Sequence, residues 1–410
     1  MNILFLTLID IQSIEERNIY TDLLREFRER GSHVYIASPS ERRTGEKTRL
    51  ISENGVTILK IKTGNLQKSG YIEKGISICL IETQFIRGIR RYYTGVRFDL
   101  VLYSTPPITF YGPIRYIKQR DNAFTYLLLK DIFPQNAVDL GVLGHKGPGH
   151  WLCAYFTKKE KRLYAVSDRI GCMSEANVEY LLSHNPSVSR QKAEVCPNTI
   201  TPSAGDRQAE AERRYIRKTY GLPEDKNIFI YGGNLGKPQG IPFLMQCIKE
   251  NEKEEHSFIL VVGSGTEYPG LCDFFKREKP RHAKLIRHME KTAYERLLSA
   301  CDVGLIFLNA CFTIPNFPSR LLSYMDAGLP VLAATDRNTD IGDVIEKGRF
   351  GKWCESVNAK EYIRLQRIFS DAGFRKECGE NARKYLEEHY TSKKGYRIIM
   401  DSISNRSKVI

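Results

Sequence analysis

The sequence predicts an α/β protein made of two doubly wound lobes. Short apolar runs alternate with segments of helical periodicity, that alternation stops and restarts near residue 226, and 410 residues suffice for two cores of roughly 200 residues each. The first series opens with NILFLTL, an unbroken apolar run of the kind that forms a buried parallel strand. NIYTDLLREFRERG follows, with Ile19, Leu23, Leu24 and Phe27 at helical spacing and Gly31 as a stop. HVYIASP completes a strand–helix–strand unit, and DLVLYST, FTYLLLKD, RIGCMS and AEVCPN supply further strands. DLGVLGHKGPGHW reads as a Gly-rich loop. After the polar stretch Thr201 to Lys218 the pattern begins again. NIFIYGG and SFILVVGSG are strands running into glycine loops, IPFLMQCIKE and AYERLLSA are helices, and DVGLIFL is a strand. NFPSRLLSYMDAGLPVLAATD gives a helix and then a strand, and helical segments from Ala359 onward end in a basic tail.

Composition narrows the function. Hydrophobic residues at 41% and charged residues at 27% fit a folded chain and exclude global disorder. A formal net charge of +14 calls for an anionic partner: a phosphorylated small molecule, an acidic membrane surface or nucleic acid. The ten cysteines form no Cys-x-x-Cys pair, which removes support for zinc ribbons and thioredoxin-like sites and fits reduced thiols in the cytosol. The N-terminus lacks a basic region and reads as a strand, not a signal peptide, and no apolar run reaches the roughly 20 residues of a membrane span.

Three loops of the second lobe fall where ligands bind in open α/β sheets, beyond the carboxyl ends of strands. YGGNLGKPQG, Tyr231 to Gly240, combines glycines that admit a ligand close to the backbone with the cation of Lys237. VVGSGTE holds a lone Gly-x-Gly, Gly263 and Gly265, which is as well explained by a tight turn. In the third, Pro318 suits a first helical turn, leaving the N–H groups of Ser319, Arg320 and Leu321 at the helix mouth and Arg320 able to fork onto phosphate oxygens. Two such sites in one lobe suit a diphosphate.

YGGNLGKPQG, VVGSG, CDVGLIFL and FPSRLLSYMDAGLPVLAATD, in that order, resemble the C-terminal lobe of the family-4 glycosyltransferases; PNTI resembles that family's hinge. YTDLLREFRERGSHV and LLLKDIFPQNAVDLGVL resemble members of bacterial polysaccharide assembly. The resemblance implies the GT-B fold, two Rossmann-like lobes facing across a cleft. Residues 1–200 would form the acceptor lobe, 201–218 a linker, 219–385 the nucleotide-sugar lobe, and 386–410 a tail packing back on the first lobe. It also implies retaining, metal-independent transfer from a nucleotide-diphosphate sugar (UDP-linked favoured, with no other cofactor) to a saccharide or polyprenyl-linked saccharide in capsule, O-antigen or exopolysaccharide assembly. Gly233, Asn234 and Leu235 align with the family's Gly-Arg-Leu loop, so Asn234 stands where the diphosphate-binding arginine is usual, and Gln239 where a lysine is usual. Pro315 and Ser323 take the places of a glutamate pair that contacts donor sugar and ribose. Lys237 and Arg320 are then the candidates for neutralising the leaving diphosphate. His288 and Met289 fall on the base-contacting loop, and Asn316, Phe317, Ser319 and Leu321 complete the donor set.

In the first lobe Asp131 ends a buried strand and either serves the acceptor hydroxyl as base or caps the next segment. Glu15, Glu16, Asn18 and Tyr20, after the first strand, are acceptor-site candidates. His145 and His150 sit in the Gly-rich loop, and no histidine cluster has metal spacing, so no metal is expected. Ile78, Ile81, Phe85, Ile89 and Tyr92 form one helical stripe flanked by Arg87, Arg90 and Arg91, which is either a core-facing helix or one lying on the anionic inner face of a membrane. The competing functions are a nucleotide-sugar 2-epimerase of the same fold, a basic nucleic-acid-binding protein and a non-catalytic scaffold. No nucleic-acid-binding motif supports the second, so no nucleic acid is expected.

Overall fold

The computed structural model describes residues 1–65, 71–144, 148–203 and 210–406. The chain forms two compact units, unit 1 from Met1–Thr201 with Ser392–Ile410 and unit 2 from Pro202–Thr391. Unit 1 holds strands β1 (Asn2–Leu6), β2 (His33–Glu41), β3 (Arg49–Glu53), β4 (Val56–Thr63), β5 (Leu100–Ser104), β6 (Phe124–Leu129), β7 (Arg169–Cys172) and β8 (Ala193–Val195). They form one sheet in the order β3-β4-β2-β1-β5-β6-β7-β8, parallel except for β3 against β4. That pair is a hairpin closed by Asn54 and Gly55, both with positive φ, as a two-residue turn requires. Unit 2 holds β9 (Asn227–Asn234), β10 (Ser257–Ser264), β11 (Ala283–Arg287), β12 (Val303–Phe307), β13 (Val331–Thr335) and β14 (Gly351–Glu355), all parallel, in the order β11-β10-β9-β12-β13-β14.

Helix α1 (Ile19–Glu29) starts at Asn18, whose side chain accepts from the amides of Tyr20 and Thr21 while Thr21 answers with its own side chain. Its inner face, Leu23, Leu24 and Phe27, meets the apolar sides of β1, β2 and β5 in one core cluster. In α2 (Tyr71–Tyr92), Ile81, Phe85 and Ile89 are fully buried and Gly88 lies against Ile61 of β4. Ile81, Phe85 and Ile89 are therefore spent on the sheet, and α2 cannot offer them to a lipid surface; Arg87, Arg90 and Arg91 face out, as do Leu80 and Thr83. Helices α3 (Tyr111–Asp121), α4 (Gln135–Asp139) and α5 (Pro148–Val166) follow, and α5 carries His150 and Trp151 within what the sequence suggested was loop.

Within the stretch 201–218, residues 204–209 lie outside the described ones, and Glu210–Thr219 form a helix of unit 2. Arg217 anchors it, donating to the Ala300 carbonyl at 3.0 Å and to the Asp302 carboxylate at 2.6 Å. The helix Ala372–His389 belongs to unit 2, and the terminal helix Ser392–Arg406 to unit 1. Ser392 donates its amide to Ile200 and its hydroxyl to Glu26, while Tyr396 stacks edgewise on Phe27 at 4.7 Å.

Candidate functional site

In unit 2 the connections leaving β9 and β12 run in opposite directions along the sheet, which opens a crevice at the carboxyl ends of these neighbours. Tyr324, on the helix Arg320–Asp326, fastens that helix beneath the crevice. Its Oη lies 3.0 Å from the Leu305 carbonyl and 3.2 Å from that of Ile230, and accepts from the Gly232 amide at 3.3 Å. Arg320, one turn earlier, is thereby delivered to the end of β9. Its guanidinium carbon sits 4.3 Å from the Tyr231 ring centroid, and Nη1 is buried without a hydrogen-bond partner. A Cβ on Gly233 would come within 3.7 Å of the same group, and Gly233 has a φ of 123°, which only glycine tolerates cheaply. A buried cationic donor without a hydrogen-bond partner is costly, and the Tyr231 π face offsets only part of that cost. An anion entering beside Gly233 would satisfy it.

The other donor-side candidates divide. A Cβ on Gly263 would collide with the Gly233 carbonyl, and one on Gly265 with that of Leu235, so this Gly-x-Gly lets two loops abut. Leu235 itself is buried, with its amide on the Ser264 carbonyl at 2.8 Å. Asn234 and Gln239, which stand for the usual arginine and lysine, bond each other at 3.4 Å as a neutral pair. Lys237 is exposed just beyond them. His288 and Met289 follow β11, two strands from β9.

The helix mouth offers fewer amides than the sequence suggests. The helix has only seven residues, and the amides of Leu321 and Leu322 turn back onto the carbonyls of Pro318 and Ser319. Leu321 is a core residue, so of the three expected amides its own is spent, and the Arg320 side chain is the charged group that this segment presents. Ser319 makes no capping bond and is exposed, as is Ser323. The Asn316 carbonyl accepts from Thr339 Oγ1 at 2.6 Å, and the Phe317 ring lies 6.2 Å from Tyr390.

Unit 1 has its own crevice, where β1 meets β5. Beside it, at the end of β6, the Thr105 hydroxyl accepts the amides of Lys130 and Asp131 at 3.0 and 3.2 Å, which fixes the turn. The Asp131 carboxylate accepts from Asn136 Nδ2 at 2.8 and 2.7 Å, so it braces α4 through a side chain, and a bond from the Ile132 backbone adds to these. Burial outweighs those bonds and pushes its pKa up to about 6. The sequence reading passed over Lys130. Burial pushes its ammonium down to about 8, and Nζ lies 5.9 Å from the Tyr20 ring centroid. A lysine directly preceding a candidate base at the end of an apolar run was the available signal.

The remaining acceptor candidates hold the first loop together. Glu15 pairs with Arg28 at 2.7 Å and accepts from Asn54, and the Arg28 bond holds its carboxyl below the usual range. Glu16 accepts the amides of Gln12 and Ser13, and Asn18 caps α1. Of the four, Tyr20 alone reaches the end of β6. His150 is exposed on α5, and His145 lies outside the described residues.

Comparison with known proteins places residues 212–385 on the model of the family Glycosyl transferases group 1. The chain is 24% identical over 273 residues to a probable glycosyltransferase, WbjE, of Pseudomonas aeruginosa, covering 66% of this chain and 65% of that protein. It is 22% identical over 241 residues to the putative colanic acid biosynthesis glycosyl transferase WcaI of Escherichia coli K12, covering 58% of each. The chain thus spans about two thirds or less of these relatives' length. Among solved structures, Anabaena HepE in complex with UDP superimposes with a TM-score of 0.69 at 13% identity, over 99% of this chain and 100% of that one. This likeness gives the fold: two Rossmann-like units of the GT-B type.

Proposed function

We propose that the chain is a retaining glycosyltransferase that moves a sugar from a UDP-linked donor to a lipid-linked saccharide in cell-surface polysaccharide assembly, without a metal ion. The observation that carries this reading is the buried, unpartnered Nη1 of Arg320 beside Gly233, a fixed cation at a sheet crevice. A diphosphate there would accept a charge-assisted bond that strengthens as the sugar–phosphate bond breaks, which favours the transition state over the ground state. Arg320 takes the part that Asn234 and Gln239, a neutral pair, cannot. In the transfer the bond from the anomeric carbon to phosphate breaks, the bond to the acceptor oxygen forms on the same face, and the hydroxyl proton passes to the leaving phosphate. Asp131 orients that hydroxyl in unit 1. The match to Glycosyl transferases group 1 and the polysaccharide role printed for WcaI support the reaction class; the UDP of HepE supports the nucleotide. Among the described residues, no helix is long and apolar enough to cross a membrane; a lipid-linked acceptor calls for attachment at the inner face.

Titration calorimetry with UDP, GDP and UDP-sugars, each with and without chelator, tests the donor side. Binding of UDP and a UDP-sugar that survives chelation is the expected result. Silence with every nucleoside diphosphate would overturn the reading.

A further inference from the structure

On unit 1, α3 packs between α2 and α5. Lys159 of α5 pairs with Glu82 of α2 at 2.7 Å, Arg162 lies over the Tyr111 ring of α3, and Arg90 of α2 over the Tyr116 ring. The outer side of this layer has an unusual composition. Trp151 is 78% exposed, Leu152 46% and Tyr155 43%, three large apolar side chains within five residues of one helix. Trp151, Tyr155, Lys158 and Arg162 stand at i, i+4, i+7 and i+11, so aromatic and basic groups share one stripe of α5. Arg87, Arg90 and Arg115 of the neighbouring helices are exposed as well. The carboxylates among the described side chains of the three helices are all engaged: Glu82 with Lys159, Asp121 with Arg120, and Glu160 buried against Tyr164.

From this geometry we infer that the outer stripe of α5, with the arginine flanks of α2 and α3, is a docking face for an anionic lipid bilayer. Trp and Tyr settle at the water–hydrocarbon boundary, where the ring is apolar on one side and wet on the other, and basic side chains beside them meet anionic headgroups. A cationic face whose described carboxylates are all engaged complements such headgroups and would repel a basic partner. The face deepens the reading of a lipid-linked acceptor and rests on that reading for its purpose, but lipid binding is measured without turnover. It also replaces the stripe of α2 as the membrane-contacting element, because that stripe is buried.

The chain has two tryptophans, and Trp353 bonds Thr335 in unit 2. A Trp353→Phe variant therefore leaves Trp151 as the sole reporter. With vesicles of phosphatidylcholine containing phosphatidylglycerol, at low salt, the protein should float, and Trp151 emission should shift to the blue and be quenched by brominated lipid. Pure phosphatidylcholine should do neither. Arg115→Glu with Lys158→Glu and Arg162→Glu should lower partitioning about tenfold or more, with UDP binding by unit 2 unchanged as the control for folding. No flotation on anionic vesicles, or flotation with Trp151 emission unmoved, overturns the docking face. So does Trp151 burial by self-association at micromolar concentration without lipid, or by duplex DNA alone. Lipid binding in a chain that ignores UDP would uphold the face and sink the donor reading instead.

Discussion

Both sheets open a crevice at their carboxyl ends, yet the groups placed there differ in kind. In unit 2 the crevice holds Arg320, a permanent cation kept buried with an open donor, on glycine loops that titrate nothing. In unit 1 the end of β6 holds Asp131 and Lys130, whose pKa values burial moves toward each other, to about 6 and about 8. A charge that never changes suits an anion that must be held while it leaves. Groups that titrate near neutrality suit a hydroxyl whose proton must be handled. One topology thus serves two chemistries, and the difference lies in a few side chains beyond the strand ends.

The comparison breaks first at Arg320. Arg320→Met should cost about 1–3 kcal/mol of UDP affinity, the scale of a lost charge-assisted bond. Because Nη1 is buried without a hydrogen-bond partner in the protein, the same variant should melt higher than the parent, by about 1 kcal/mol of stability net of the lost Tyr231 contact. Calorimetry and thermal melting read the two effects separately. Weaker binding with a lower melting point would mean that Arg320 is structural.

Asp131 sharpens the contrast through pH. UDP-glucose has no phosphate proton to lose near neutrality, so its affinity should stay flat between about pH 5 and 8, since Arg320 does not titrate there. Turnover should instead fall on the acid side of about pH 6, where the raised carboxyl of Asp131 takes up its proton. Asp131→Asn should lower kcat about 100-fold or more, abolish that limb and leave donor affinity unchanged. A limb that persists in the variant would remove Asp131 from the reaction.

Much of this was legible because the central strands, β5, β6, β12 and β13 among them, are apolar runs buried on both faces, and each lobe repeats the alternation. The β3–β4 hairpin was equally readable from Asn54-Gly55 between two strand-like runs, a two-residue signal that a search for parallel units passes over. Arg320 stood out beside Pro318, but its seat on Tyr231 depends on Tyr324 reaching three backbone groups across the sheet, which no local pattern records. The first loop misled in the opposite way. Glu15, Glu16 and Asn18 are polar and follow a strand, as ligand-binding residues do, but each already serves a near neighbour in sequence or space. In α2, periodicity revealed the apolar stripe and left its destination open, since a sheet and a bilayer reward the same spacing.

A shifted pKa is not by itself a functional mark, and Glu160 tests that limit. It lies on α5, and burial pushes its carboxyl up to about 7 despite the Tyr164 hydroxyl 2.7 Å away. A pKa raised in the folded state means that folding favours the protonated form, so the contribution is present below about 4.5 and is lost as pH climbs through about 7. Asp131 contributes the same sign at lower pH and is spent by about 6. Between pH 6 and 8 the melting temperature should therefore fall. Glu160→Gln, which keeps an oxygen for Tyr164, should flatten that fall and gain about 1–3 kcal/mol of stability at the alkaline end. Turnover and donor affinity should be unmoved, because the carboxyl is held by Tyr164 and belongs to neither candidate set. A Glu160→Gln variant that lost activity while gaining stability would show that shifted carboxyls in unit 1 act together, and the division between a titrating crevice and an inert core would have to be redrawn.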